Sequence, residues 1–129
     1  MEDFSPEQVV RALRVNLEAP MLLAQALYPA MLRNGSGHLA FVASLSGKAP
    51  SPRSSIYNAT KFGLRGFARS LREDLRPSGV GVSAIFPGFV RDAGMFHDTG
   101  TKLPPGMGTV APDEVSDAVV TAIVRNRGE

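Results

Sequence analysis

Tyr57-Asn58-Ala59-Thr60-Lys61 opens a segment that reads as a long helix, from Ser54 or Ser55 to about Arg76. Phe62, Leu64, Phe67, Ala68, Leu71 and Leu75 give that helix a broad apolar surface. The tyrosine and the lysine stand at i and i+4, on one helical face, so both side chains reach the same small volume. An ammonium beside a phenol favours the phenolate, and a tyrosine tuned that way gives or takes a proton near neutral pH. Alone the spacing carries little, because most such pairs are solvated surface neighbours. Its company is more informative: Ser44 lies thirteen residues upstream, Asn16 further back, and Pro87-Gly88 follows the next apolar run.

Upstream, Ser5-Pro6-Glu7-Gln8 reads as a helix start, with Ser5 as N-cap, Pro6 in the first helical position and Gln8 closing a capping box. Val9, Val10, Leu13, Leu17, Met21, Leu22, Ala24 and Leu27 continue it at helical spacing to about Arg33. Pro20 and Pro29 lie inside and bend it, and Asn34-Gly35-Ser36-Gly37 ends it. The apolar run His38–Ala43 then suits a buried parallel strand, with Ser44 at its C-terminal end and a Ser/Gly/Pro loop over 45–55.

Downstream, Pro77-Ser78-Gly79 closes the central helix and Val80–Phe86 reads as a second strand. Residues 91–110 are rich in Gly, Pro and Thr with little periodicity, which favours a functional or mobile segment. Pro112-Asp113-Glu114 starts a last helix with Val115, Ala118, Val119, Ala122 and Ile123 as its apolar stripe. Two strands with flanking helices imply a right-handed α/β unit with a parallel sheet, in one domain over 1–129. Two strands alone make an incomplete sheet.

Composition excludes several classes. The chain of 129 residues has net charge +2 with dispersed arginines, which argues against a nucleic-acid footprint. With no cysteine, disulfides, thiolate nucleophiles and cysteine-held zinc are excluded, and a reducing, cytoplasmic location is expected. No secretory signal is expected at Glu2 and Asp3, and no apolar run is long enough to span a membrane. His38 and His97 make no metal site without carboxylate help; each reads as a loop or strand-start residue. A serine hydrolase lacks its Gly-x-Ser-x-Gly turn, and phosphate-loop chemistry lacks Gly-x-x-x-x-Gly-Lys. Arg65, Arg69, Arg72 and Arg76 read as a solvated face pairing with Glu73 and Asp74.

Asn16, Ser44, Tyr57 and Lys61, followed by Pro87-Gly88-Phe89-Val90, resemble the catalytic half of the short-chain dehydrogenase/reductase family, over residues 5–125. The resemblance implies a doubly wound, Rossmann-like three-layer α/β/α sandwich of roughly twice this length. Its first half would carry the glycine-rich turn for the dinucleotide pyrophosphate. Gly79-x-Gly81-x-x-Ala84 and Gly106-x-Gly108-x-x-Ala111 match the relaxed fingerprint, but neither sits between a strand and a helix. The chain is therefore expected to be an internal piece of a longer protein, or a degraded or mispredicted gene product, and inactive alone.

The family resemblance also implies roles. NAD or NADP would be the cofactor, and a carbonyl or alcohol the substrate. Tyr57 would be the general acid/base and Lys61 would bond the nicotinamide ribose. Ser44 would donate to the substrate oxygen, and Asn16 would hold a water in a proton relay. Pro87, Gly88 and Val90 would face the nicotinamide. Asp92 stands where the family commonly has threonine, and an ionised carboxylate accepts but does not donate. Ser46 competes with Ser44 but reads as turn chemistry, and Ser54 and Ser55 as helix caps. The 91–110 loop would cover substrate, with Met95, Phe96, Leu103 and Met107 suggesting an apolar one. Family members pair through the two long helices, so a homo-oligomer is implied for the parent. The alternative reading is a non-catalytic module that associates through those helices.

Overall fold

The computed structural model describes residues 4–100, 103, 106 and 108–129, without the side chains of residues 95, 96 and 99. Helix α1 spans Pro6–Leu13 and starts with the expected capping box: Ser5 Oγ accepts from Gln8 N, and the Gln8 side chain accepts from Ser5 N. A π-helical turn, Arg14–Glu18, joins it to α2, Ala19–Asn34. Pro20 supplies the reason for this departure from one uniform helix. It has no N–H to give the carbonyl four residues back, and its ring crowds that carbonyl, which belongs to Asn16. Gly35 ends α2 at φ 64°, with its N–H on Leu32 O and the Ser36 N–H on Met31 O.

Strand β1, Gly37–Val42, pairs in parallel with β2, Val80–Ile85, in the register Gly37↔Val80 through Val42↔Ile85. Helix α3, Ser55–Leu75, connects them. Leu39, Phe41 and Ala43 alternate onto the face that also carries Val82 and Ala84, and meet Leu64, Ala68 and Leu75 of α3 in the core. The Phe41 and Phe67 rings meet edge to face, 5.7 Å apart. Helix α5, Pro112–Val124, covers the opposite face, where Ser83 Oγ donates to Arg127 O and lies 2.7 Å from His38 Nε2. Helices on both sides of a parallel pair make this a partial Rossmann-like α/β fold.

Two features differ from the sequence reading. The stretch 91–110 contains α4, Gly94–Thr99, and ends in β4, Thr109–Val110, which pairs in parallel with β3, Phe89–Val90. Such short strands show no periodicity, and their pairing is set by partners 20 residues away. The arginine stripe is also more than a solvated face. Arg72 donates to Val82 O and to Asn126, while Arg65 donates to Glu129, and only Arg76 pairs with Glu73 as expected. Among the described residues no helix is long and apolar enough to cross a membrane.

Arg65 and Lys48 hold the Glu129 carboxyl at about 2. Because the folded value lies below the ordinary 4.5, its stabilisation is complete above that pH and lost as pH falls toward 2. Glu129→Gln should therefore lose less stability than the wild type between pH 5 and 2, measured by thermal melts across that range.

Candidate active site

The face of α3 that seats on the sheet is the stripe Lys61, Leu64, Ala68 and Leu75, all buried. Tyr57 continues it one turn earlier and is half-buried. Lys61 is thus carried inside by its helical phase: it lies one turn before Leu64, and only 9% of it is exposed. Its ammonium sits 5.5 Å from the centroid of the Tyr57 ring, within cation–π range. Burial pushes the Lys61 ammonium below its ordinary value, because the charged form loses solvation. Among the described residues it has no carboxylate or hydrogen-bond partner.

Two turns pack on α3. The 3₁₀ turn Leu45–Gly47 follows Ser44 and packs on α3 so closely that a Cβ on Gly47 would stand 2.7 Å from Lys61 O. Ser44 Oγ accepts from Ser46 N at 3.1 Å. The π-helical turn with Asn16 packs on the other side of α3, where Leu17 would meet a Cβ on Gly63 at 3.0 Å. Asn16 is half-buried there.

The parallel register brings the ends of both strands level. Ala43 N donates to Ile85 O at 2.7 Å, and Leu45 N to Pro87 O at 3.0 Å. The segments carrying Ser44 and Pro87-Gly88 are therefore hydrogen-bonded to each other, and Leu45 Cδ1 lies against Gly88. Beyond them Val90 pairs with Val110 in the second ladder. A cleft of about 560 Å³ opens here, lined by Leu45, Lys48, Phe86, Pro87, Gly88 and Val115; Tyr57 and Lys61 lie outside its wall. A larger one of about 770 Å³, between Arg65, Arg69, Arg72 and the tail, is away from all the site residues.

Asp92 takes φ 67°, a conformation uncommon for a non-glycine residue, and its carboxylate lies 3.5 Å from Arg91 Nε. Ser54 occupies the N-cap position of α3 but bonds Pro52 O instead of capping the helix. Leu103 is half-buried, while the side chains of Met95 and Phe96, and Met107 entirely, lie outside the described residues. Sequence reasoning passed over Asn58, which is buried and bonds three residues of the loop after Ser44. A polar residue inside the Tyr-x-x-x-Lys stretch was the available signal.

The parallel α/β unit thus carries Ser44 and Pro87-Gly88 at the C-terminal ends of its two strands. A family model described as short chain dehydrogenase matches residues 1–103. The ketoacyl reductase HetN of Nostoc sp. is 36% identical over 121 residues, covering 94% of this chain and 42% of the relative. The Drosophila melanogaster dehydrogenase/reductase SDR family protein 7-like is 30% identical, covering 90% and 38%. Among solved structures, the short-chain dehydrogenase from Sphingobium yanoikuyae in complex with NADPH superposes with a TM-score of 0.87 at 28% identity, covering 99% of this chain and 50% of that one. A metagenomic short-chain oxidoreductase in complex with NADP gives 0.74 at 31%, covering 95% and 47%. The chain belongs to the short-chain dehydrogenase family. It spans half or less of the length of these relatives.

Gly47→Ala should lower stability by about 1–3 kcal/mol, because the new methyl meets backbone rather than a yielding side chain. Urea denaturation of the two proteins measures it. Lys61→Met should melt no lower than the wild type without cofactor, since the fold no longer desolvates a charge at neutral pH.

Proposed function

We propose that this chain is the catalytic half of an NAD(P)-dependent oxidoreductase that interconverts a carbonyl and an alcohol. The observation that carries the reading is Lys61, a lysine only 9% exposed whose stem is packed beside Tyr57 and whose donors are uncommitted. Three free N–H donors on an ammonium that reaches the surface suit an acceptor-rich ligand such as the hydroxyls of a nicotinamide ribose. The backbone of Pro87, Gly88 and Val90 would border the nicotinamide, and the complexes of two structural neighbours with NADPH and NADP support that cofactor class. When bound, the nicotinamide supplies or takes the hydride.

The chain's own residues would handle the accompanying proton. In reduction Tyr57 Oη gives a proton to the carbonyl oxygen; in oxidation it takes one from the alcohol. Ser44 Oγ already accepts from Ser46 N–H, which leaves its own proton for the substrate oxygen. Asn16 would hold a water between solvent and Lys61. Asp92 would accept from the nicotinamide amide where a threonine is common. The substrate is a carbonyl or alcohol compound, and Leu103 favours an apolar one.

A second reading rests on exposed apolar residues of α1 and α2. Val10, Leu13, Leu23 and Leu27 are at least 39% exposed, and Phe62 of α3 is 42% exposed. Such a surface favours self-association, as a homo-oligomer of the longer parent or as the chain's only role. Titration with NADH and NADPH separates the two: saturable binding supports the enzyme, and oligomerisation without binding supports the module.

Tyr57→Phe in the longer parent should reduce turnover by about 10²–10⁴-fold while leaving NADPH affinity nearly unchanged. Turnover equal to the wild type would overturn the assignment.

A further inference from the structure

We propose that Asn58 is a positioning residue for the reaction, its carboxamide setting the loop that carries Ser44 and so aiming the Ser44 hydroxyl. This rests on the reading of Ser44 and Tyr57 given above. Asn58 is 7% exposed and all its hydrogen-bonding capacity faces one loop. Its Nδ2 donates to Ser46 O at 2.8 Å and to Ala49 O at 3.1 Å, while its Oδ1 accepts from Ser51 Oγ at 3.2 Å. Only a carboxamide offers two donors and an acceptor in one plane at this size.

Ser46 is the link. Its carbonyl is held by Asn58 and its N–H is given to Ser44 Oγ. One peptide segment is therefore pinned at one end by the helix residue next to Tyr57 and at the other by the Ser44 hydroxyl. The Asn58 N–H bonds Ser54 O, the first backbone bond of α3, so its side chain projects from a formed helical turn. Loosening Asn58 frees Ser46 to rotate, and Ser44 Oγ loses the donor that fixes its rotamer and leaves its proton outward. Tyr57 and Lys61 keep their places, because the core stripe of α3 seats them.

A buried polar residue that only stabilises the loop would act independently of Ser44. A positioning residue acts through it. The test is a double-mutant cycle in the full-length parent, following NADPH oxidation against 2,3-butanedione, ethyl acetoacetate and acetophenone. Asn58→Ala should lower kcat on the order of tenfold to a hundredfold, with KM and NADPH affinity held within about threefold. Ser44→Ala/Asn58→Ala should be no slower than Ser44→Ala alone. Losses that multiply in the double variant, or a kcat within about twofold of the wild type for Asn58→Ala, would overturn the proposal. Asn58→Asp keeps the volume and turns both donors into lone pairs facing carbonyls, so it serves where the alanine variant does not fold. Amide hydrogen exchange gives an answer independent of turnover: Ser46 N–H should lose protection in either Asn58 variant, and wild-type protection there contradicts the linkage. An active Tyr57→Phe, by contrast, defeats the catalytic reading while leaving this exchange result to stand.

Discussion

The seating of α3 on the β1–β2 pair governs everything else in this molecule. Leu64, Ala68 and Leu75 meet Leu39, Phe41, Val82 and Ala84, and the apolar area so removed from water sets the helix's rotation. Once that rotation is set, Lys61 has no choice of environment. It lies on the same stripe, one turn before Leu64, and its stem is packed inside with its ammonium beside the Tyr57 ring. A lysine on the opposite face would be an ordinary solvated cation. The penalty of burying this one is tolerated because the packing beneath it is more favourable.

The parallel register is the second constraint. With Val42 opposite Ile85, both strands finish at one level, and the chain leaving each is caught by the other through Ala43 N–H and Leu45 N–H. Ser44 and Pro87-Gly88 are brought together by backbone bonds alone. On the far side of α3, Pro20 removes a helical donor from the Asn16 carbonyl and the helix widens into a π-turn at that residue. Asn16, Ser44 and Pro87-Gly88 are thus placed by backbone geometry, whereas the Tyr57–Lys61 pair is held by core packing.

Polar side chains complete the edges. Arg72 donates to Val82 O of β2 and to Asn126, Ala84 N donates to Gly128 O, and Glu129 joins Lys48 and Arg65, so residues 126–129 are fastened along β2. Lys48 and Arg65 also lie over the Phe86 ring, at 4.3 and 5.5 Å. The arginine stripe therefore binds the tail to the sheet as well as facing solvent.

Much of this was legible in the amino-acid order. Ser5 to Gln8 encodes its own cap, the helical and strand periods mark α3, β1 and β2, and the i, i+4 spacing puts Tyr57 and Lys61 on one face, because each depends only on near neighbours in the chain. Residues 89–90 and 109–110 were not legible as strands, since two residues have no period and their ladder exists only once the chain has folded back. Nor were Ser54's failure to cap, the partners of Arg65 and Arg72, or the three bonds of Asn58, each of which depends on where a distant backbone carbonyl or side chain comes to rest. The sequence by itself determined the longer elements and which groups share a face; the tertiary structure alone decided the two-residue strands and which polar groups meet across elements, because hydrogen bonds require positions within a fraction of an ångström that only the packed core supplies.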